Sequence, residues 1–131
     1  MSSAEAFAAI TLAAIASDGY LNDAEVQALS LGLSRMKLFQ TYSDEARAKL
    51  LDRFLTLIRQ DGFSKLFERA KSYLPKDLRD TVFAVATDLI LADGLVTDEE
   101  RQFLEQLQRS LELSDEAALE IVRVILIKNK G

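Results

Sequence analysis

Apolar residues recur along this chain at intervals of three and four, the spacing of a helix face, almost from end to end. Phe7, Ile10, Thr11 and Ala14 mark a first helix over about Ser3 to Ser17. Gly19 stops it, and Asn22 followed by Glu25 has the form of an N-cap with its capping-box partner. Leu21 and Val26 flank that cap as a hydrophobic staple. Val26, Leu29, Leu33 and Met36 form the stripe of a second helix that fades near Leu38. Ser43 caps a third, with Leu50, Phe54, Leu57 and Ile58 in line and Leu51 beside them. Asp61-Gly62 breaks the pattern before a short fourth helix carrying Phe63, Leu66, Phe67, Ala70 and Tyr73.

The sole proline, Pro75, suits the first turn of a fifth helix. That helix runs to about Ala92 and is apolar nearly all round from Val82 onward. A helix without a polar face is normally the buried centre of a bundle. The core is therefore expected around Val82, Phe83, Val85, Ala86, Leu89 and Ile90. Asp88 interrupts this run. A pairing with an arginine on a neighbouring helix, or a place where the bundle surfaces, is favoured over a reach toward Asp93. Thr97 and Glu100 open a sixth helix with Phe103, Leu104, Leu107 and Leu111. Ser114 opens a seventh with Ala118, Ile121, Val122 and Ile125, and Lys128 and Lys130 suit the negative end of its dipole.

The pattern is doubled. Ser17-Asp18-Gly19-Tyr20-Leu21-Asn22-Asp23-Ala24-Glu25 matches Ala92-Asp93-Gly94-Leu95-Val96-Thr97-Asp98-Glu99-Glu100 position by position. Downstream, Ser43-Asp44-Glu45-Ala46 echoes Ser114-Asp115-Glu116-Ala117, with an insertion in the first copy. Self-similarity of this kind organises a whole fold. The expectation is an all-α, single-domain bundle of about seven helices spanning 1–131. It would be built from two pseudo-symmetric three-helix repeats, about 3–60 and 75–128, related by an approximate two-fold, with a bridging helix at about 63–74.

Composition sharpens this. Hydrophobic residues make up 49% and charged residues 28%, a globular balance, and one proline with five glycines among many Ala, Leu, Glu, Lys and Arg favours helix. Cysteine and histidine are absent. That excludes disulfides, zinc sites of the usual kind, and Ser-His or Cys-His catalysis. From Asp93 to Glu120 nine acids stand against two arginines. An acidic face of this kind argues against nucleic acid and suits cations or a basic partner. From Arg59 to Asp80 six basic residues are mixed with four acids, which reads as a solvated face of helix-spaced ion pairs. The apolar stretch from Ala6 to Ala16 lacks the positive flank of a signal peptide and reads as a core helix. No apolar run reaches the roughly 20 residues of a membrane span. The expectation is a soluble, cytoplasmic protein without direct membrane insertion.

Two readings of the repeated motif stand side by side. In one, Gly19 and Gly94 end helices, Asn22 and Thr97 cap the next ones, Glu25 and Glu100 close capping boxes, and nothing more is implied. In the other, Asp18 and Asp93 are the clue, because an acid at a helix C-terminus costs about 0.3–1 kcal/mol. Together with Asp23, Glu25, Asp98 and Glu100 they form an all-oxygen set suited to a hard divalent cation such as Ca²⁺, Mg²⁺ or Mn²⁺. The set is not an EF-hand, since Tyr20, Asp23 and Leu29 occupy positions where that loop needs an oxygen ligand, a glycine and a glutamate.

On these two copies the chain resembles the TerB-like family of tellurite-resistance proteins, whose pattern is an alanine-rich helix, Asp-Gly, an aliphatic, an N-cap and Glu. The resemblance spans nearly the whole length. It implies a bacterial, pseudo-symmetric helical domain of the stress-response type that binds divalent metal through acids. It also implies protein partners, among them membrane proteins of a tellurite-resistance system, and a place in the cytoplasm or peripheral to the inner membrane through such a partner. The matching positions are Asp18, Asp23, Glu25, Asp93, Asp98 and Glu100. Ala24 stands where the second copy has Glu99, so the first set is the weaker. The expected function is non-enzymatic and cation-responsive. The alternative is a purely structural helical adaptor with no metal site, and a carboxylate-only metalloenzyme is a distant third.

Overall fold

Three helices begin on one device. Ser2 Oγ accepts the Glu5 N–H at 3.1 Å and Glu5 Oε1 accepts the Ser2 N–H at 2.9 Å. Asn22 with Glu25 and Thr97 with Glu100 repeat the exchange. Ser43 and Ser114 cap two more helices with a single bond each, to Ala46 and Ala117. The caps thus mark most helix starts, because each satisfies backbone donors the helix itself cannot.

The computed structural model describes residues 1–16, 21–92 and 97–130. Among these it is all-helical, with α1 (Ser3–Ile15), α2 (Asp23–Ser34), α3 (Asp44–Asp61), α4 (Phe63–Lys71), α5 (Arg79–Ile90), α6 (Asp98–Ser110) and α7 (Asp115–Lys128). Short 3₁₀ turns occur at Lys37–Phe39 and Lys76–Leu78. The second helix therefore ends before Leu38. Pro75 precedes the second 3₁₀ turn instead of sitting in the first turn of α5. No described helix is long and apolar enough to cross a membrane.

The chain forms two compact units, Met1–Pro75 and Lys76–Gly131. In the first, α1 packs against α4 and α3, with α2 and the Lys37–Phe39 turn also in contact. The fourth helix, expected as a bridge, packs on α1 and α3 of this unit. Every residue of α1 from Ala6 to Ile15 is buried. The alanines between Phe7, Ile10, Leu12 and Ile15 explain this, since methyl side chains let neighbouring helices approach on every side. Thr11 is satisfied by its bond to the Phe7 carbonyl at 2.7 Å. Phe39 meets Phe7 and Tyr42 edge-on. Arg47, buried in α3, ties this unit together by donating to Ser30 Oγ, the Tyr42 carbonyl and Asp44.

In the second unit α5 packs principally on α7 and also on α6. Val82, Phe83 and Ala86 are buried as expected, but Val85, Leu89 and Ile90 are only half-buried. The helix enclosed on all sides is α1, not α5. The reason is the number of neighbours: α1 is covered by three helices and a turn of its own unit, α5 chiefly by two helices. Asp88 accepts from Lys128 Nζ at 3.3 Å and from Asn129 Nδ2 at 3.1 Å, so its partner is a lysine at the end of α7. That places a carboxylate where it fixes the C-terminus of α7 onto α5.

Candidate functional site

Six acids were singled out by the sequence, and four lie among the described residues. Asp23 and Glu25 sit in the first turn of α2, Asp98 and Glu100 in the first turn of α6. Glu25 Oε1 accepts the Asn22 N–H at 3.3 Å, and Asn22 Oδ1 accepts the Glu25 N–H at 2.8 Å. Both bonds of the Thr97–Glu100 pair are 3.1 Å. Each glutamate therefore spends one carboxylate oxygen on its own helix start and keeps the other. Asp23 and Asp98 are exposed. Asp18 and Asp93 lie outside the described residues, so the full set cannot be traced around a common centre. Among the described residues no three acids converge as metal ligands.

The Ser2–Glu5 pair shows what the same device does where no Asp-Gly turn precedes it. Its bond from the Ser2 N–H, together with the Arg53 guanidinium 2.8 Å away, holds the Glu5 carboxyl down to about 2 from its ordinary 4.5. Capping is thus a sufficient reason for the glutamate of each repeat.

A different surface stands out. α7 carries Ile121, Val122, Val124, Ile125, Leu126 and Ile127, yet only Ala118 of the whole helix is buried. Leu119, Val124 and Ile127 are 71%, 56% and 63% exposed. Between α5 and α7 lies an open groove of about 250 Å³. Asp80 and Ala84 line it from α5, and Ala117, Glu120, Ile121, Val124 and Ile125 from α7. Its floor is apolar and its rim carries two exposed carboxylates, Asp80 and Glu120.

No family model, curated protein or solved structure matches this chain. The resemblance to the TerB-like family accordingly rests on the two Asp-Gly copies alone. Sequence reasoning passed over the α7 surface, although a signal was present: the run from Ile121 to Ile127 leaves α7 nearly as apolar all round as α5. A helix of that character wants cover on more than one side.

Proposed function

We propose that this chain is a non-enzymatic helical interaction domain that works through protein contact along the apolar side of α7. The observation that carries this reading is the exposure of Leu119, Val124 and Ile127 on a helix otherwise held by α5. Large apolar side chains left exposed on a helix beside an apolar groove are what a protein contact would cover. The stress-response setting implied by the Asp-Gly motif fits such a role, with partners at the membrane of a tellurite-resistance system as the first to test.

The test is chemical unfolding of the triple variant Leu119→Gln, Val124→Gln, Ile127→Gln. Substitutions on a free surface are expected to leave stability within about 0.5 kcal/mol per site. If the same side chains belong to the core, each change removes about 1.5–3 kcal/mol of burial and the chain loses its cooperative transition. That second result overturns the reading.

A second reading, cation response through Asp18, Asp23, Glu25, Asp93, Asp98 and Glu100, is favoured by the Asp-Gly pair and following acids that the sequence repeats. The double change Asp18→Asn, Asp93→Asn separates it. In chelator the variant should be the more stable, by about 0.5–2 kcal/mol in total. With Ca²⁺, Mg²⁺ or Mn²⁺ at a hundredfold excess over Kd the parent should gain about 2.7 kcal/mol and the order should invert. Equal behaviour in both buffers leaves the Asp-Gly turns as connectors only.

A further inference from the structure

Five of the seven residues 121–127 are β-branched: Ile121, Val122, Val124, Ile125 and Ile127. A branch at Cβ restricts χ1 against the preceding turn of a helix and suits the pleat of a strand. The run has no glycine or proline and carries one charge, Arg123. Six or seven residues of that make-up are what cross-β packing of identical segments requires. In the structure the same residues form the middle of α7. Intrinsic preference and fold therefore disagree along about two turns of one helix, and tertiary contact has to supply the difference.

That contact is thin. Among the described residues of α7 only Ala118 is buried, and residues 121–127 are all half-buried or exposed. Ile10, Thr11 and Ile15 of α1 are β-branched too, but they are enclosed. What holds α7 as a helix is concentrated at its ends. Ser114 Oγ accepts the Ala117 N–H at 3.1 Å, and Gln108 Nε2 donates to Asp115 Oδ1 at 2.7 Å. At the other end Asp88, on α5, accepts from Lys128 Nζ and Asn129 Nδ2. Between these ties, residues 118–127 make no side-chain hydrogen bond or ion pair among the described residues.

We propose that α7 is a conditional helix: once released from α5, residues 121–127 become extended and pair, strand on strand, with the same segment of a second copy of this chain. The occupant is a second copy because the segment is its own best match. Extended, it places Val122, Val124 and Leu126 on one face and Ile121, Arg123, Ile125 and Ile127 on the other. The first face is wholly apolar and can interdigitate with its own image. On the second, Arg123 opposes stacking on itself in parallel register, which favours antiparallel pairing. Asp88 ties the end of α7 to α5, so it governs how readily the run is released. This switch is separate from the contact-face reading, which concerns α7 as a helix.

The test follows β-structure in the full chain, held below its unfolding midpoint, by thioflavin fluorescence and the infrared amide band. The described residues contain no strand, so any strand signal that grows is new. Growth after a lag that shortens with protein concentration is expected. Val124→Lys, at an exposed position, should lengthen the lag about tenfold, and Arg123→Val should shorten it. Asp88→Ala should shorten it as well, while Gly62→Ala, in the first unit, should not. Val124→Leu combined with Ile127→Leu keeps the apolar surface but raises helix preference, so assembly should slow. Absence of a strand signal overturns the proposal, as does association that stays helical. An unchanged lag in Val124→Lys or in the double leucine variant overturns it too, because another segment or apolar exposure alone would then drive assembly. Equal acceleration by Asp88→Ala and Gly62→Ala would trace release to global unfolding and likewise overturn it. None of these outcomes alters the unfolding of the triple glutamine variant, on which the contact-face reading stands or falls by itself.

Discussion

Gly62 ends α3 and begins α4 in one residue, at φ 86° and ψ 161°. That region belongs almost solely to glycine, and a side chain there costs on the order of 1–3 kcal/mol even in open space. No atom lies within 4 Å of where a Cβ would stand, so the penalty is purely one of backbone conformation. Gly32 has equally open surroundings but lies inside α2 with no positive φ. Gly62→Ala is therefore expected to lower the unfolding free energy by about 1–3 kcal/mol. Gly32→Ala should raise it by about 0.5–1 kcal/mol. Urea titrations of the two variants check the opposite signs. The Asp61-Gly62 break was legible in sequence because a glycine between two apolar periodicities has few other uses.

Glu5 makes a prediction about pH at the same scale. Its carboxyl titrates near 2 in the fold against 4.5 ordinarily, the bond from the Ser2 N–H being the first cause and Arg53 the second. A depressed folded-state value means that stabilisation is fully present above pH 4.5 and fades as pH falls from 4.5 toward 2. Arg53 is 57% exposed, which screens the pair, so about 1–2 kcal/mol is the expected size. Glu5→Gln keeps the capping geometry but loses the charge. It should be less stable than the parent at neutral pH and equal to it near pH 2, as thermal melts across that range would show.

At the scale of elements, helix starts were legible and helix cover was not. Capping residues act locally, so Asn22, Ser43, Thr97 and Ser114 could be read from the chain in order. Burial depends on how many neighbours a helix acquires, and that is set by tertiary packing. α1 and α5 have similar apolar runs, yet α1 is enclosed while Val85, Leu89 and Ile90 of α5 are left half-open. The acidic half of the candidate site was legible as a repeat, but Glu25 and Glu100 also satisfy a purely structural need. The α7 groove was not legible, because it depends on how α5 and α7 pack and not on either helix alone. One pair of substitutions exposes the difference. Ala9→Leu forces a larger side chain into a closed seam and should cost about 1–3 kcal/mol. Ala84→Leu, at the matching position in the open seam, should be neutral or stabilising. Denaturation midpoints of the two variants decide it, and an equal loss in both would contradict the asymmetry.

Over the whole molecule, the two units share one packing pattern. In each, the first helix packs on the third and on the second, and in the first unit α4 also packs on α1 and α3. The central claim is that Leu119, Val124 and Ile127 of α7 are free of cover in the isolated chain. The absence of cysteine gives a direct way to measure it, since one introduced thiol is then the only one present. Single variants Leu119→Cys, Val124→Cys and Ile127→Cys would be treated with a thiol reagent under native conditions, beside Leu51→Cys as a buried reference. The account predicts that the three α7 thiols react within about tenfold of an unfolded-chain thiol, while the reference is protected in proportion to global stability. Protection of all three α7 thiols to the level of the reference would contradict it.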